Sequence, residues 1–132
     1  MYLRFTTQFT NPYGEMETGI FMALKYLRDD YSLTNDEDII KLKELTGWFN
    51  KNLEKPNRLS NGTSKYNADT SLSWFKDTAN DHLKKMHDFI KIAERYDLFI
   101  ERITSKNPGY IVYEDEYQVS AVPFRSNRNK VI

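Results

Sequence analysis

The chain has 132 residues, 39% of them hydrophobic and 14% aromatic, enough for one packed core and for a single domain as the expectation. Its 19 basic and 19 acidic residues cancel, so no long-range field draws it to nucleic acid or to an acidic membrane. Cysteine is absent, which excludes a disulfide framework, a thiol nucleophile and a thiolate metal site.

The N-terminal stretch Met-Tyr-Leu-Arg-Phe-Thr-Thr lacks the basic region and apolar run of a secretory signal. No apolar run approaches the ~20 residues that span a bilayer. The cytoplasm is therefore the expected location, with no membrane partner.

Residues 2–9 read as a strand, with Leu3, Phe5, Thr7 and Phe9 on one face and Tyr2, Arg4, Thr6 and Gln8 on the other. Asn11-Pro12-Tyr13-Gly14 is a turn. A helix over 15–31 follows, its stripe formed by Met16, Ile20, Ala23, Leu24, Leu27 and Tyr31. Met22 and Tyr26 lie on the opposite side, which predicts a helix sandwiched between layers; an exposed contact patch is the alternative.

Thr34 with Glu37 makes a capping box for the next helix, and Asp36 and Asp38 suit its N-terminus. Ile39, Leu42, Leu45, Phe49 and Leu53 then share one face through about residue 53. Gly47 weakens its middle by ~1 kcal/mol relative to alanine. Residues 54–70, rich in Asn, Ser and Gly, are a long connection, either a lid or an insertion.

The longest helix is predicted over 71–96, capped by Thr70 or Ser71, with Phe75, Ala79, His82, Leu83, Met86, Ile90 and Ala93 at helical spacing. Leu98–Thr104 is strand-like. Asn107-Pro108-Gly109 predicts a type II turn pairing 98–104 with 110–114. Tyr110–Tyr113 and Tyr117–Val122 read as two strands joined at Glu114-Asp115-Glu116, or as one long bent strand. Residues 125–132 form a basic polar tail. The fold class is α+β: three helices packed on a small, mainly antiparallel sheet in the order β-α-α-loop-α-β-β-β, within a domain over 1–124.

Strong catalytic motifs are missing: there is no glycine-rich phosphate loop, no His-Glu-x-x-His and no Gly-x-Ser-x-Gly. The only histidines, His82 and His87, are separated by about 140° around a helix and are badly placed to share a metal. His82 on the edge of the stripe reads as a hydrogen-bonded core residue, His87 as solvated. No metal and no cofactor is expected.

The triplet Glu114-Asp115-Glu116 could pair carboxylates on one strand face as acid and base or for a hard cation; a solvated turn is the plainer reading. Trp74 points away from the apolar stripe of the predicted helix, toward Thr78, Asp81 and Lys85, so either the 54–70 connection folds over it or it belongs to a binding surface with an incompletely covered indole. Trp48 is similarly off-centre. Lys76, Lys84, Lys85 and Lys91 decorate the long helix, but Asp77, Asp81, Asp88 and Glu94 interrupt them, which disfavours nucleic acid.

Trp74-Phe75-Lys76 with Ala79, and Pro108-Gly109-Tyr110-Ile111-Val112-Tyr113-Glu114-Asp115 followed by Gln118-Val119 and Pro123, resemble a family of small bacterial proteins without an assigned activity. The resemblance implies a shared domain and carries no catalytic role.

The leading functional expectation is a non-enzymatic binding protein, such as a regulator or inhibitor that docks a larger protein. Its binding residues would come from Trp74, Trp48, Lys76, Arg4, Glu114, Asp115 and Glu116. The alternative is a small hydrolase or transferase acting on a phosphorylated or nucleotide-like ligand, with Arg4 holding phosphate and Glu114 or Glu116 as base. Convergence of Arg4 and the triplet in one pocket would favour the enzyme, and their separation the binder.

Overall fold

The computed structural model describes residues 1–55 and 71–124. Residues 56–70 of the expected connection, and the whole basic tail, lie outside the described residues. The described elements are β1 (Tyr2–Thr6), β2 (Gln8–Thr10), β3 (Met16–Thr18), α1 (Ile20–Asp29), α2 (Asp36–Asn52), β4 (Leu72–Lys76), α3 (Asn80–Glu94), β5 (Glu101–Ser105), β6 (Tyr110–Glu114) and β7 (Gln118–Val122). One five-stranded sheet has the order β5-β1-β4-β7-β6, and β2 and β3 form a second sheet. The α+β class and the expected order of the three helices hold, with strands added. Two compact units divide the chain: Met1–Arg4, Leu53–Asn80 and Thr104–Ile132 in the first, Phe5–Asn52 and Asp81–Ile103 in the second.

In the first unit β7 is buried along its whole length, between β4 and β6. Small and β-branched side chains suit that position, since a strand covered on both faces has little room and no solvated side. Its polar Ser120 meets Ser73 of β4 at 3.3 Å between hydroxyls. The β6–β7 hairpin closes on Asp115, whose Oδ1 accepts the N–H groups of Tyr117 (2.8 Å) and Gln118 (3.0 Å). This side-chain turn makes β6 and β7 two strands rather than one bent strand.

Expectation and structure part in two places here. The helix predicted over 71–96 begins only at Asn80, and residues 72–76 are β4. Trp74 and Phe75 are both buried, as neighbours in a strand covered on both faces must be. The predicted pairing of 98–104 with 110–114 also fails, because β5 and β6 lie at opposite ends of the sheet order. Gly109 still requires glycine, for another reason. Its φ is +142°, and an added Cβ would sit 2.1 Å from the Val122 carbonyl oxygen.

In the second unit, the strand expected over 2–9 breaks at Thr7. Thr7 is buried, and its hydroxyl donates to the Phe99 carbonyl at 2.6 Å while β2 leaves for a separate hairpin with β3. Asn11 closes that hairpin: its Oδ1 accepts from Tyr13 (2.9 Å) and Glu15 (3.0 Å). Helix α1 consequently starts at Ile20, not at 15, behind Gly19 with φ +134°. Ile20, Ala23, Leu24 and Leu27 are buried as the stripe requires, but Met22 is 41% exposed, so α1 is not sandwiched there.

The α2 N-cap is Asn35 rather than Thr34. Asn35 Oδ1 accepts the Asp38 N–H at 2.8 Å, whereas the buried Thr34 hydroxyl has no partner among the described residues. Asp38, buried at the start of α2, pairs with Arg95 and accepts the Tyr96 hydroxyl at 2.5 Å; that hydroxyl in turn accepts the Asn35 N–H at 3.0 Å. The Arg95 guanidinium is the main reason the Asp38 carboxyl sits below its usual range. Helix α3 buries His82, Met86, Phe89, Ile92 and Ala93.

Candidate binding face

Strand register sorts the nominated residues onto faces. Tyr2 pairs with Lys76 and Leu3 with Phe75, Trp74 with Val119, and Val119 with Glu114. Opposed residues of antiparallel strands point to the same side, and alternate residues of one strand do too. Tyr2 and Arg4 of β1, Leu72, Trp74 and Lys76 of β4, and Glu114 of β6 therefore share one face. Two members of that set are joined by an ion pair across β7, Lys76 Nζ to Glu114 Oε2 at 2.6 Å.

Arg4 is the unusual member. It is half-buried, and its side chain makes no hydrogen bond or ion pair among the described residues. Burial lowers the pKa of its guanidinium from the ordinary value, as desolvation of an uncompensated cation must. Beside it Trp74, on the adjacent strand and not on a helix, is only 8% exposed, which favours the covered indole over the incompletely covered one. Its indole N–H is buried and has no acceptor among the described residues. Such a donor costs about 1–3 kcal/mol to leave unsatisfied.

The opposite face explains Asp115. Beyond the two turn N–H groups, its Oδ2 accepts the Tyr113 hydroxyl at 2.6 Å and the Gln118 amide at 3.2 Å. Burial would raise the Asp115 carboxyl, but these hydrogen bonds outweigh it and hold the pKa low. The same contact, with burial, pushes the Tyr113 hydroxyl up to about 12. Gln118 spends its other amide hydrogen on the Glu54 carbonyl at 2.8 Å. Asp115 is thus a turn-forming carboxylate with its lone pairs committed. Glu116 is exposed.

Trp48 lies in the second unit. Its ring meets His82 edge-on at 4.7 Å and Phe49 at 5.3 Å, and Lys85 Nζ stands 5.6 Å from the indole centre. His82 is 3% exposed with Nε2 2.8 Å from the Asn52 carbonyl, the hydrogen-bonded core position expected of it. His87 is exposed, its ring edge-on to Phe5 at 6.0 Å. Among the described residues no group of three His, Asp or Glu side chains could hold a metal ion, and no helix is long and apolar enough to cross a membrane.

A feature that sequence reasoning missed lies at β6. This strand ends the sheet order, and its Ile111 and Tyr110 are 47% and 46% exposed, with Tyr117 beyond the turn at 37%. The unbroken apolar run Tyr110-Ile111-Val112-Tyr113 was the available signal, since a covered strand and an edge strand can both carry one. No family model, curated protein or solved structure matches the chain. Its function has to be read from these surfaces.

Proposed function

We propose that the protein is a non-enzymatic binding protein that docks a larger protein by adding an extended segment of that partner to β6. The observation carrying this reading is an apolar terminal strand exposing side chains to both of its faces: Ile111 opposes Ala121 and Tyr110 opposes Val122 in register. A terminal strand turns a row of main-chain donors and acceptors outward, and strand addition there combines those groups with side-chain pockets on alternate positions. The register shift between Ile111 and Tyr113 bends the edge at Val112. Such a bulge works against open-ended stacking of identical copies and favours a partner shaped to the bend.

The catalytic alternative finds less support. Arg4 and Glu114 share a face but are separated by three strand spacings, about 14 Å. Glu114 is tied to Lys76, and Asp115 is committed to the turn.

Site-specific photo-crosslinking tests the proposal. A benzophenone side chain at Ile111 should capture one discrete protein in extract of the source cell, and the same probe at Lys43, on the exposed side of α2, should not. Val112→Pro, which removes a main-chain donor from β6, should abolish the Ile111 product. Identical products from both positions, or a product indifferent to Val112→Pro in a variant that still folds, would contradict it.

A further inference from the structure

We propose that Arg4 and Trp74 form a binding site for a carboxylate on the face of the five-stranded sheet, independent of the β6 edge. Three observations converge. Arg4 is a half-buried guanidinium with no counter-ion or hydrogen bond among the described residues. Trp74, on the neighbouring strand about 4.8 Å away, is more than nine-tenths buried with its indole N–H unaccepted. Both residues occupy the same face, by the register that opposes Tyr2 to Lys76. Proline-free β1 and β4 carry the two residues on strands and not on loops, and a ligand reaches the buried indole N–H only as the groups covering it shift.

The chemistry follows from the donors. A guanidinium presents a planar fork of N–H groups that matches two carboxylate oxygens, and the indole adds one N–H that can only donate. No acceptor is contributed by either residue, so an ammonium ligand gains nothing here, and a neutral hydroxyl can accept from them but brings no charge to balance the guanidinium. Charge chooses between oxyanions. Lys76 is neutralised by Glu114 at 2.6 Å, which leaves Arg4 as the single uncompensated charge of the set. One positive charge in a half-buried site balances a monoanionic carboxylate and undercompensates a phosphate dianion. A bound carboxylate oxygen would also relieve the standing penalty of the buried indole donor.

The ligand can be a free carboxylic acid or a carboxyl group on a peptide; sodium acetate and a blocked aspartate distinguish these sources. The chain has two tryptophans, so its two indole N–H resonances report the proposed site and an internal control, Trp48. Acetate should move the Trp74 resonance saturably at concentrations where sodium chloride of equal ionic strength does not, and leave Trp48 in place. Tighter saturation by blocked aspartate assigns a peptide carboxyl, and equal saturation assigns a free acid. Arg4→Gln should weaken binding roughly tenfold or more, as loss of a charge-assisted hydrogen bond implies. Arg4→Lys, which keeps the charge but loses the fork, should show an intermediate loss and serves if Arg4→Gln does not fold. The proposal is overturned if acetate leaves the Trp74 resonance unmoved, if binding is the same after Arg4→Lys and Arg4→Gln as before, or if inorganic phosphate saturates the site at lower concentration than acetate.

Discussion

Gly109→Ala should be among the most damaging single-methyl additions in the first unit. The added Cβ would lie 2.1 Å from the Val122 carbonyl oxygen, 2.7 Å from its carbon and 3.0 Å from Pro123 Cα. All three are backbone atoms, so no side-chain rotation relieves the clash. Van der Waals contact needs roughly 3.4–4 Å, so the strands must separate by about 1 Å or more. That displacement falls on the Tyr110–Val122 pair, the first rung of the β6–β7 ladder. Overpacking of this kind costs about 1–3 kcal/mol, and an L-residue held at φ +142° adds about 1–3 kcal/mol of backbone strain. The sum, about 2–6 kcal/mol, is a large part of the ~5–15 kcal/mol that holds a domain folded. Urea denaturation followed by far-ultraviolet circular dichroism measures it. Gly47→Ala supplies the contrast: it lies in α2 with nothing within 4 Å of the new Cβ and should stabilise by about 0.5–1 kcal/mol. A Gly109→Ala protein within ~1 kcal/mol of the parent would refute the close approach of Gly109 to the β7 backbone.

Trp74→Ala should cost about 3–5 kcal/mol of stability, as a buried indole in a strand demands, whereas Trp74→Phe should cost far less because it removes an unaccepted N–H; equilibrium denaturation distinguishes them. Asp38→Asn should lower stability at neutral pH by about 1–2 kcal/mol, the half-exposed Arg95 keeping the loss small. Asp38 has its carboxyl pKa depressed in the folded state, so its contribution is present above about pH 4 and lost as pH falls through the folded value. The gap in melting temperature between parent and Asp38→Asn should therefore close only in acid. Tyr113 has a raised pKa, so its contribution is complete below about pH 10 and disappears as pH rises toward about 12. Tyr113→Phe should flatten that alkaline loss, read from denaturation midpoints across the range.

The helices were largely legible because one apolar stripe per element decides them. Leu42, Leu45 and Phe49 of α2, and Ile20, Ala23, Leu24 and Leu27 of α1, are buried as their spacing requires. The boundaries were harder where a strand abuts a helix. Phe75 and Ala79 continue the helical spacing of His82 and Met86 by coincidence, so β4 was absorbed into α3. Only tertiary burial of both Trp74 and Phe75 separates the two elements. Met16 extended the α1 stripe in the same way, yet it is 66% exposed on β3.

Partnership of strands was less legible still. Pro108-Gly109 states that the chain needs a special backbone conformation at that point, not which strand will lie alongside. At the candidate face, Arg4, Trp74, Lys76 and Glu114 could each be named from sequence, but their common side depends on the order β1-β4-β7-β6, which no local pattern encodes. Glu114 read as a free carboxylate until its ion pair with Lys76 was visible. The turn at Glu114-Asp115-Glu116 was legible, because Asp can hold the N–H two residues on, but the further hold of Tyr113 and the Gln118 amide on its carboxylate was not.

Amide hydrogen exchange, with and without the protein captured at Ile111, tests the binding reading most directly. Strand addition predicts that the partner slows exchange at amides of Tyr110–Glu114 and leaves the exposed side of α2 around Lys43 unchanged. Protection appearing on α2 while the β6 amides exchange at their free rate would contradict it.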